Sequence, residues 1–564
     1  MGKINGAQML IKCLKEEGVE VIFGFPGGKV IPIYDAIFDS DIKHILVRHE
    51  QGASHAADGY ARATGKTGVC VATSGPGATN LITGIACAYM DSIPMVAITG
   101  QAETNLIGTD SFQEADITGI TAPITKHNYL IKDVKELPTV VKEAFYIAST
   151  GRPGPVLIDI PVDVSKSLIE ENVKVELKLE GYKPTYKGNP KQIIQAAKRI
   201  FDSKKPVIFA GGGIIISEAS LELADFARYA KIPVITSLMG KGGFPDEDGL
   251  SLGMAGMHGT KYANLAFMDA DLIIAIGARF DDRVTGKLSE FAKNADIIHA
   301  DIDPAEIGKN VKADIPIVGD AKTILADLKI RYKELIDKKG FPDRNDWLKT
   351  IKNLKKDFPL KYDKSSRGIK PMYVIEKIYE ITKGDAIICT EVGQHQMWTA
   401  QFYKFSQPRT FLTSGGLGTM GYGLPASIGA KVGRPDKIVI DIAGDGSIQM
   451  VSQEFATAVF NKIPVKIMIL NNGYLGMVRQ WQEFFYNKRY SHTSIQNSVD
   501  FVKLIEAYGG VGFRVTEKSQ VEETIKKALS IDNVVVIDFW IDREENVYPM
   551  VPAGSPINQM LEFE

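Results

Sequence analysis

The sequence predicts an α/β protein made of three doubly wound parallel-sheet domains. Three observations carry this. Short apolar runs alternate with helical patterns along the whole chain. Two stretches, 171–188 (rich in Glu, Lys, Gly and Pro) and the Lys-rich 338–370 (broken by Pro342 and Pro359), read as linkers, the second partly helical. The first and third blocks look like diverged copies, each with a small-residue segment, a strand and a glycine loop in that order. The blocks are expected at 1–170, 189–340 and 371–564, each long enough to bury a core of its own.

The N-terminal block opens on an amphipathic helix with Met9, Leu10, Cys13 and Leu14 on its apolar side. This segment carries charges throughout and has no signal-peptide core. No stretch approaches a membrane span, so the cytoplasm is the expected compartment. A strand over His44–Val47 leads through Glu50 into a helix over Gln51–Ala63, followed by a strand over Gly68–Thr73 and the turn Ser74-Gly-Pro-Gly-Ala-Thr-Asn80. In the middle block the apolar runs Pro206–Ala210, Val234–Thr236, Leu272–Ile276 and Ile297–Ala300 read as strands. With 66 basic and 68 acidic residues the net charge is −2, which points to neither nucleic acid nor an anionic membrane as partner. Cys13, Cys70, Cys87 and Cys389 are scattered in or beside apolar segments with no CxxC pair, the pattern of buried free thiols.

The third block carries the most informative segment. The strand Lys437–Ala443 runs into Gly444-Asp445-Gly446-Ser447, a helical stretch continues to about Phe460, and the strand Val465–Leu470 ends in Asn471-Asn472. Two parallel strands joined by a crossover place both C-terminal ends at one sheet edge, where open α/β sheets bind ligands. Asp445 and Asn472 are therefore expected side by side. One carboxylate and one amide oxygen suit a small hard cation that also takes phosphate oxygens, which points to Mg²⁺. A helix starting near Ser447 would aim its N–H groups at the same spot and suit a diphosphate. The spacing resembles the thiamine-diphosphate signature; a βαβ unit with a capping Asp is the bland alternative.

Further segments extend the resemblance over nearly the whole chain. They are Phe23-Gly-Phe-Pro-Gly-Gly28, Arg48-His-Glu-Gln-Gly-Ala53, Gly108–Asp116, Gly256-Met-His-Gly259, Gly277–Val284, Gly393-Gln-His-Gln-Met-Trp398, Gly476-Met-Val-Arg-Gln-Trp481 and Pro549-Met-Val-Pro552. In these the chain resembles the catalytic subunits of the acetohydroxyacid (acetolactate) synthase family. The resemblance implies the three-domain fold of thiamine-diphosphate-dependent oxidases and decarboxylases: a pyrimidine-binding domain, an FAD-binding domain and a diphosphate- and Mg²⁺-binding domain. It implies that Glu50 hydrogen-bonds the aminopyrimidine and relays the proton that activates the cofactor. Such a role asks for a carboxyl raised in pKa by burial; by its residues alone, with Arg48 and His49 beside it, Glu50 reads first as a helix cap or salt-bridge carboxylate, and only the resemblance reverses that. Gly28, Phe112 and Gln113 match residues beside the reacting carbons. Gln394, His395, Gly418, Gly444, Gly446, Ser447, Gly476 and Met477 match cofactor contacts, and Met420 the bulky residue that bends the cofactor. The carbonyl of Tyr474 joins Asp445 and Asn472 as the implied third protein ligand of the metal. A structural or cofactor-binding role suits His395 better than independent acid–base work.

In the middle block, Gly211-Gly212-Gly213, Gly277-Ala278-Arg279 and Asp301 each follow a strand, where glycines admit a phosphate and an acid can hold a ribose. The family's flavin contacts further match Asp91, Arg152, Met257, His258, Asp281, Arg283, Ile302 and Asp320, so FAD is implied, with a largely structural role. The implied reaction decarboxylates pyruvate on the thiazolium and adds the two-carbon unit to a second pyruvate or to 2-oxobutyrate, in branched-chain amino-acid synthesis. Trp481, unless it merely packs its loop, implies a preference for 2-oxobutyrate. A homodimer or tetramer with a separate small regulatory subunit is implied as well. The alternatives are a flavin-linked pyruvate oxidase or a 2-oxo acid decarboxylase on the same fold, and, in another class, a non-catalytic nucleotide-binding regulator. Trp481 in its Gly-Met-Val-Arg-Gln context argues against the first two; the intact Glu50, Asp445 and Asn472 argue against the third. Lys29 and Val162 depart from the family pattern in segments tied to substrate access and herbicide binding, so inhibitor sensitivity does not carry over.

Overall fold

The computed structural model describes residues 2–496 and 499–563. Three six-stranded sheets, all parallel, form the centres of three domains. The N-terminal sheet uses Val21–Gly24, Lys43–Leu46, Gly68–Ala72, Met95–Gln101, His127–Leu130 and Pro155–Pro161; numbered in chain order, these lie as 2-1-3-4-6-5. The C-terminal sheet uses Ala386–Thr390, Phe411–Leu412, Ile438–Gly444, Lys466–Asn471, Val511–Val515 and Val535–Trp540, and its order is again 2-1-3-4-6-5. The two outer domains therefore share one topology, as their common segment order suggested.

The central sheet uses Pro206–Ala210, Val234–Thr236, Ser251–Met254, Leu272–Ile276, Asp296–Asp301 and Ile315–Val318 in the order 3-2-1-4-5-6. That order reverses direction between the first and fourth strands, the crevice in which dinucleotides bind to such sheets.

The expected helix after Glu50 runs Glu50–Thr64, with His49 capping its start and Gly65 in left-handed conformation at its end. Its small residues have a packing reason. A Cβ at Gly59 would lie 2.1 Å from the carbonyl oxygen of Ala426, and one at Gly429 would lie 1.8 Å from that of Ala56. The helices Glu50–Thr64 and Gly423–Gly433 thus meet backbone to backbone, and one apolar core joins the N- and C-terminal domains. The N-terminal helix, Gly6–Glu16, starts in a capping box between Asn5 and Gln8 and buries Met9, Leu10, Cys13 and Leu14. All four cysteines are free and buried.

Two segments go where the linear reading did not place them. The stretch expected to link the second and third blocks contains the helix Asn345–Asp357, whose Trp347 and Ile351 enter the central core, with Trp347 Nε1 donating to the Pro206 carbonyl. The chain's last residues leave the third domain and return to the second: Val551 N donates to Met257 O, and Ile557 is buried in the central core. Among the described residues no helix is long and apolar enough to cross a membrane.

Candidate active site

Asp445 and Asn472 meet as their strands require. Gly444 pairs with Leu470 across the ladder, and the Asn472 amide N–H points at Asp445 Oδ1 at 3.4 Å. The intervening helix differs from expectation: it starts at Asp445 itself, runs only to Ile448, and resumes at Glu454–Phe460. Four residues carry little macrodipole, so individual N–H groups rather than a long helix face this spot. A cavity of about 70 Å³ is lined here by Gln394, His395, Met420, Gly444, Asp445, Gly446, Ser447, Asn472, Tyr474, Gly476 and Met477.

The donor set fits a hard cation with a diphosphate. Asp445 is buried, which pushes its carboxyl up to about 7, and an adjacent cation would offset the cost of burying its charge. Among the described residues no cluster of three His, Cys, Asp or Glu forms, so remaining ligands would be amide, carbonyl and phosphate oxygens. Asn472 is held from both ends: its Nδ2 donates to Gln394 Oε1 at 3.2 Å, and its Oδ1 accepts from Tyr474 N at 3.0 Å. Gln394 is fixed in turn, donating to Gln480 Oε1 and the Glu545 carbonyl. His395 is buried, which lowers its pKa to about 3 and keeps it neutral, with Nε2 unpartnered.

A second cavity, about 960 Å³, opens from Gly212, Gly213 and Gly277 at the central crevice toward Gly418, Met420, Met477 and Trp481. Arg152, Met257, His258, Arg279, Asp281, Arg283, Asp301, Ile302 and Asp320 also line it. Burial raises Asp301 to about 6 and holds His258 neutral, with Nε2 buried and unpartnered. Several lining groups are already engaged: Asp281 and Asp320 cap helices, and Arg152 is ion-paired with Asp303 and Glu306. Gly211 lies outside the lining; a Cβ there would sit 1.9 Å from Gly277 O, so close chain packing is its evident role. Asp91 touches the cavity, but its buried carboxylate accepts from Arg62 and from the amides of Gly415 and Gly416.

The remaining sequence-derived residues gather elsewhere. Glu50 is half-buried rather than enclosed among apolar neighbours, and Asn80 Nδ2 donates to its Oε2 at 2.9 Å. Gly77 packs against Glu50, Lys29 N donates to Thr73 Oγ1, and Gln113, in left-handed conformation, lies against Gly75. Gly28 is exposed with open space at its Cα, and Phe112 is 81% exposed. None of Gly28, Glu50, Phe112 and Gln113 lines either cavity. Val162 is buried at the start of a short helix. Within a single chain, Glu50 and its polar neighbours on the N-terminal domain therefore lie apart from the small cavity that Asp445 and Asn472 line on the C-terminal one.

Sequence reasoning missed Asn80, which lies inside the Ser74–Asn80 motif, and Glu454. The buried Glu454 carboxylate accepts from Arg48 N at 3.1 Å and from Thr457 Oγ1, and so holds the start of the Glu50 helix from the other domain. Arg543, missed as well, donates to the Asn472 carbonyl and stacks on Tyr474.

Residues 4–120, 193–328 and 391–539 match the N-terminal TPP binding domain, the central domain and the C-terminal TPP binding domain of thiamine pyrophosphate enzymes. The chain is 52% identical to a probable acetolactate synthase large subunit of Methanocaldococcus jannaschii, over 99% of this chain and 95% of that one. It is 51% identical to the acetolactate synthase large subunit of Corynebacterium glutamicum (98% and 89% covered) and 48% identical to that of Haemophilus influenzae (100% and 98%).

Proposed function

The chain belongs to the acetolactate synthase large-subunit family of thiamine pyrophosphate enzymes, and from that premise we propose how its residues divide the work. It is a thiamine-diphosphate-dependent transferase of the acetolactate synthase type. Bound thiamine diphosphate supplies the electron sink for decarboxylating a 2-oxo acid and passing a two-carbon unit to a second one. Pyruvate is the donor; pyruvate or 2-oxobutyrate is the acceptor.

The observation that carries the assignment of roles is the Asp445–Asn472 pair in its small cavity. Asp445, the Asn472 amide oxygen and the Tyr474 carbonyl hold Mg²⁺. Gln394, His395 and the Gly444–Ser447 turn receive the diphosphate, and Met420, which lines both cavities, holds the cofactor between them. Trp481 lines the acceptor end and helps to exclude water. FAD would be held in the large cavity at the crevice of the 3-2-1-4-5-6 sheet, by the glycines and acids that line it. Its volume and its glycine and acid lining fit a dinucleotide.

Glu50 holds and releases a proton at the aminopyrimidine, oriented by Asn80. The half-buried state of Glu50 and its absence from both cavities favour a site completed by a second copy, whose Glu50 faces this chain's Asp445. The active form is then a homodimer or a dimer of dimers. Because relatives are named large subunits, a separate small regulatory subunit accompanies it, in the cytoplasm.

The test is acetolactate formation from pyruvate with and without thiamine diphosphate and Mg²⁺; acetate or acetaldehyde as the main product would refute it. Mixing inactive Glu50→Gln with inactive Asp445→Ala should restore activity through hybrid interfaces. No recovery despite proven subunit exchange would place each site within one chain.

A further inference from the structure

We propose that Glu391, at the end of the strand Ala386–Thr390, is a positioning residue for Met420: its ionised carboxylate holds the 421–424 turn, and Asp441 beneath that turn carries a proton.

Met420 enters both cavities from a turn that leads directly into the helix Gly423–Gly433. Glu391 reaches that turn from the neighbouring strand. Its Oε2 accepts from Gly421 N at 2.6 Å and its Oε1 from Leu424 N at 3.1 Å, so one fully buried side chain grips both ends of the turn. The 11-residue helix directs its free N–H groups at the same carboxylate, which favours the charged form there. Burial raises the Glu391 carboxyl to about 7, and these donors keep it from rising further.

Asp441 has nothing comparable. It sits in the middle of the apolar strand Ile438–Gly444, fully buried, and both its carboxyl oxygens lack a hydrogen-bond partner. Its Oδ1 presses on the same turn: a Cβ at Gly423 would lie 2.2 Å from it and 2.6 Å from Glu391 N, so only glycine fits. Burial and the charge of Glu391 both push the Asp441 carboxyl well up. Arg62, Asp58 and the Cys389 thiol lie nearby, but Arg62 is committed to Asp58 and Asp91. Two buried carboxyls against one turn cannot both ionise at low cost. The one gripping N–H groups takes the charge, and the unpartnered one keeps the proton.

The inference rests on the reading of Met420 as the residue that holds the cofactor, and the measurements separate the two. Glu391→Gln offers one acceptor oxygen in place of two, so amide hydrogen exchange across residues 421–424 should accelerate. Thiamine diphosphate Kd should rise about tenfold, the loss expected for one charged hydrogen bond, with the pyruvate KM unchanged at saturating cofactor. Asp441→Asn mimics the protonated acid. It should keep wild-type activity, exchange and Kd, while the infrared C=O band of a protonated carboxyl, present in the wild type and lost in the variant, stands out in the wild-type-minus-variant difference at neutral pH. Wild-type exchange and affinity in Glu391→Gln, or no protonated-carboxyl band assignable to Asp441, would overturn the proposal. Accelerated exchange in Glu391→Gln together with wild-type cofactor affinity in both it and Met420→Ala would instead refute the Met420 reading and support the Glu391–Asp441 pair. Should Glu391→Gln fail to fold, the Asp441→Asn infrared comparison decides alone.

Discussion

Replacing Arg62 by Met should destabilise the joint between the outer domains by about 3–5 kcal/mol, the cost of breaking a buried ion pair by removing one partner. Arg62 is 6% exposed, and its guanidinium donates to Asp58 at 2.6 and 3.3 Å, to Asp91 at 2.8 Å and to the Thr413 carbonyl at 3.0 Å. Both carboxylate side chains are fully buried. Without Arg62, Asp58 keeps the Tyr422 hydroxyl and Asp91 keeps the amides of Gly415 and Gly416, so each retains hydrogen bonds but loses its counter-charge. Burial already pushes Asp58 upward, and without the cation it would rise further. An acid raised on folding stabilises most below its unfolded pKa and loses that contribution as pH rises through the folded value. The deficit of Arg62→Met should therefore be small at acid pH and grow toward neutrality. Urea unfolding followed by fluorescence at several pH values measures it, and Asp58→Asn in the same background should recover part of the loss. A deficit under about 1 kcal/mol, or one that does not change with pH, would refute the reasoning, since both follow from an uncompensated buried charge.

Other outcomes follow from the same structure. Asp445→Ala should lose tight thiamine diphosphate binding, because among the described residues lining the small cavity it is the only carboxylate; near-normal affinity by calorimetry would contradict the cradle. Trp481→Leu should lower the ratio of acetohydroxybutyrate to acetolactate by about tenfold in a mixed-substrate competition, the scale of one methylene in an apolar pocket. An unchanged ratio in a competent variant would reassign Trp481 to packing its loop. Asp159, bonded by Thr99 and Gln101, is raised by burial to about 7, so its contribution to stability is complete below the ordinary Asp range and is lost as pH rises toward 7. Asp159→Asn should flatten that part of the stability–pH curve, and an unaltered slope would show that Asp159 does not titrate there.

The sequence by itself determined whatever depends on neighbours along the chain or on one crossover. Runs such as Pro206–Ala210 and Leu272–Ile276 became strands with those bounds, because apolar β-branched stretches between turns have one way to bury both faces. The meeting of Asp445 and Asn472 was equally legible, since a single right-handed crossover fixes which strand ends are adjacent. The break in the helix after Ile448 was not, because no proline or run of glycines marks it.

Only the tertiary structure decided the rest. The sheet orders, 2-1-3-4-6-5 outside and 3-2-1-4-5-6 in the centre, depend on which edge each strand joins, and no local pattern records that. Asn80 on Glu50, Glu454 on Arg48 and Glu391 on Gly421 are contacts between separate elements, set by side chains of ordinary type. Asp441 in an apolar strand reads as an interruption until the fold shows Gly423 pressed against it. The separation of Glu50 from Asp445 is also a tertiary outcome: backbone contact between the helices Glu50–Thr64 and Gly423–Gly433 joins the outer domains while leaving Glu50 outside the cavity that Asp445 lines. Periodicity and propensity fix elements one at a time, whereas a site built from strand ends of several domains exists only once long-range packing has set their distances.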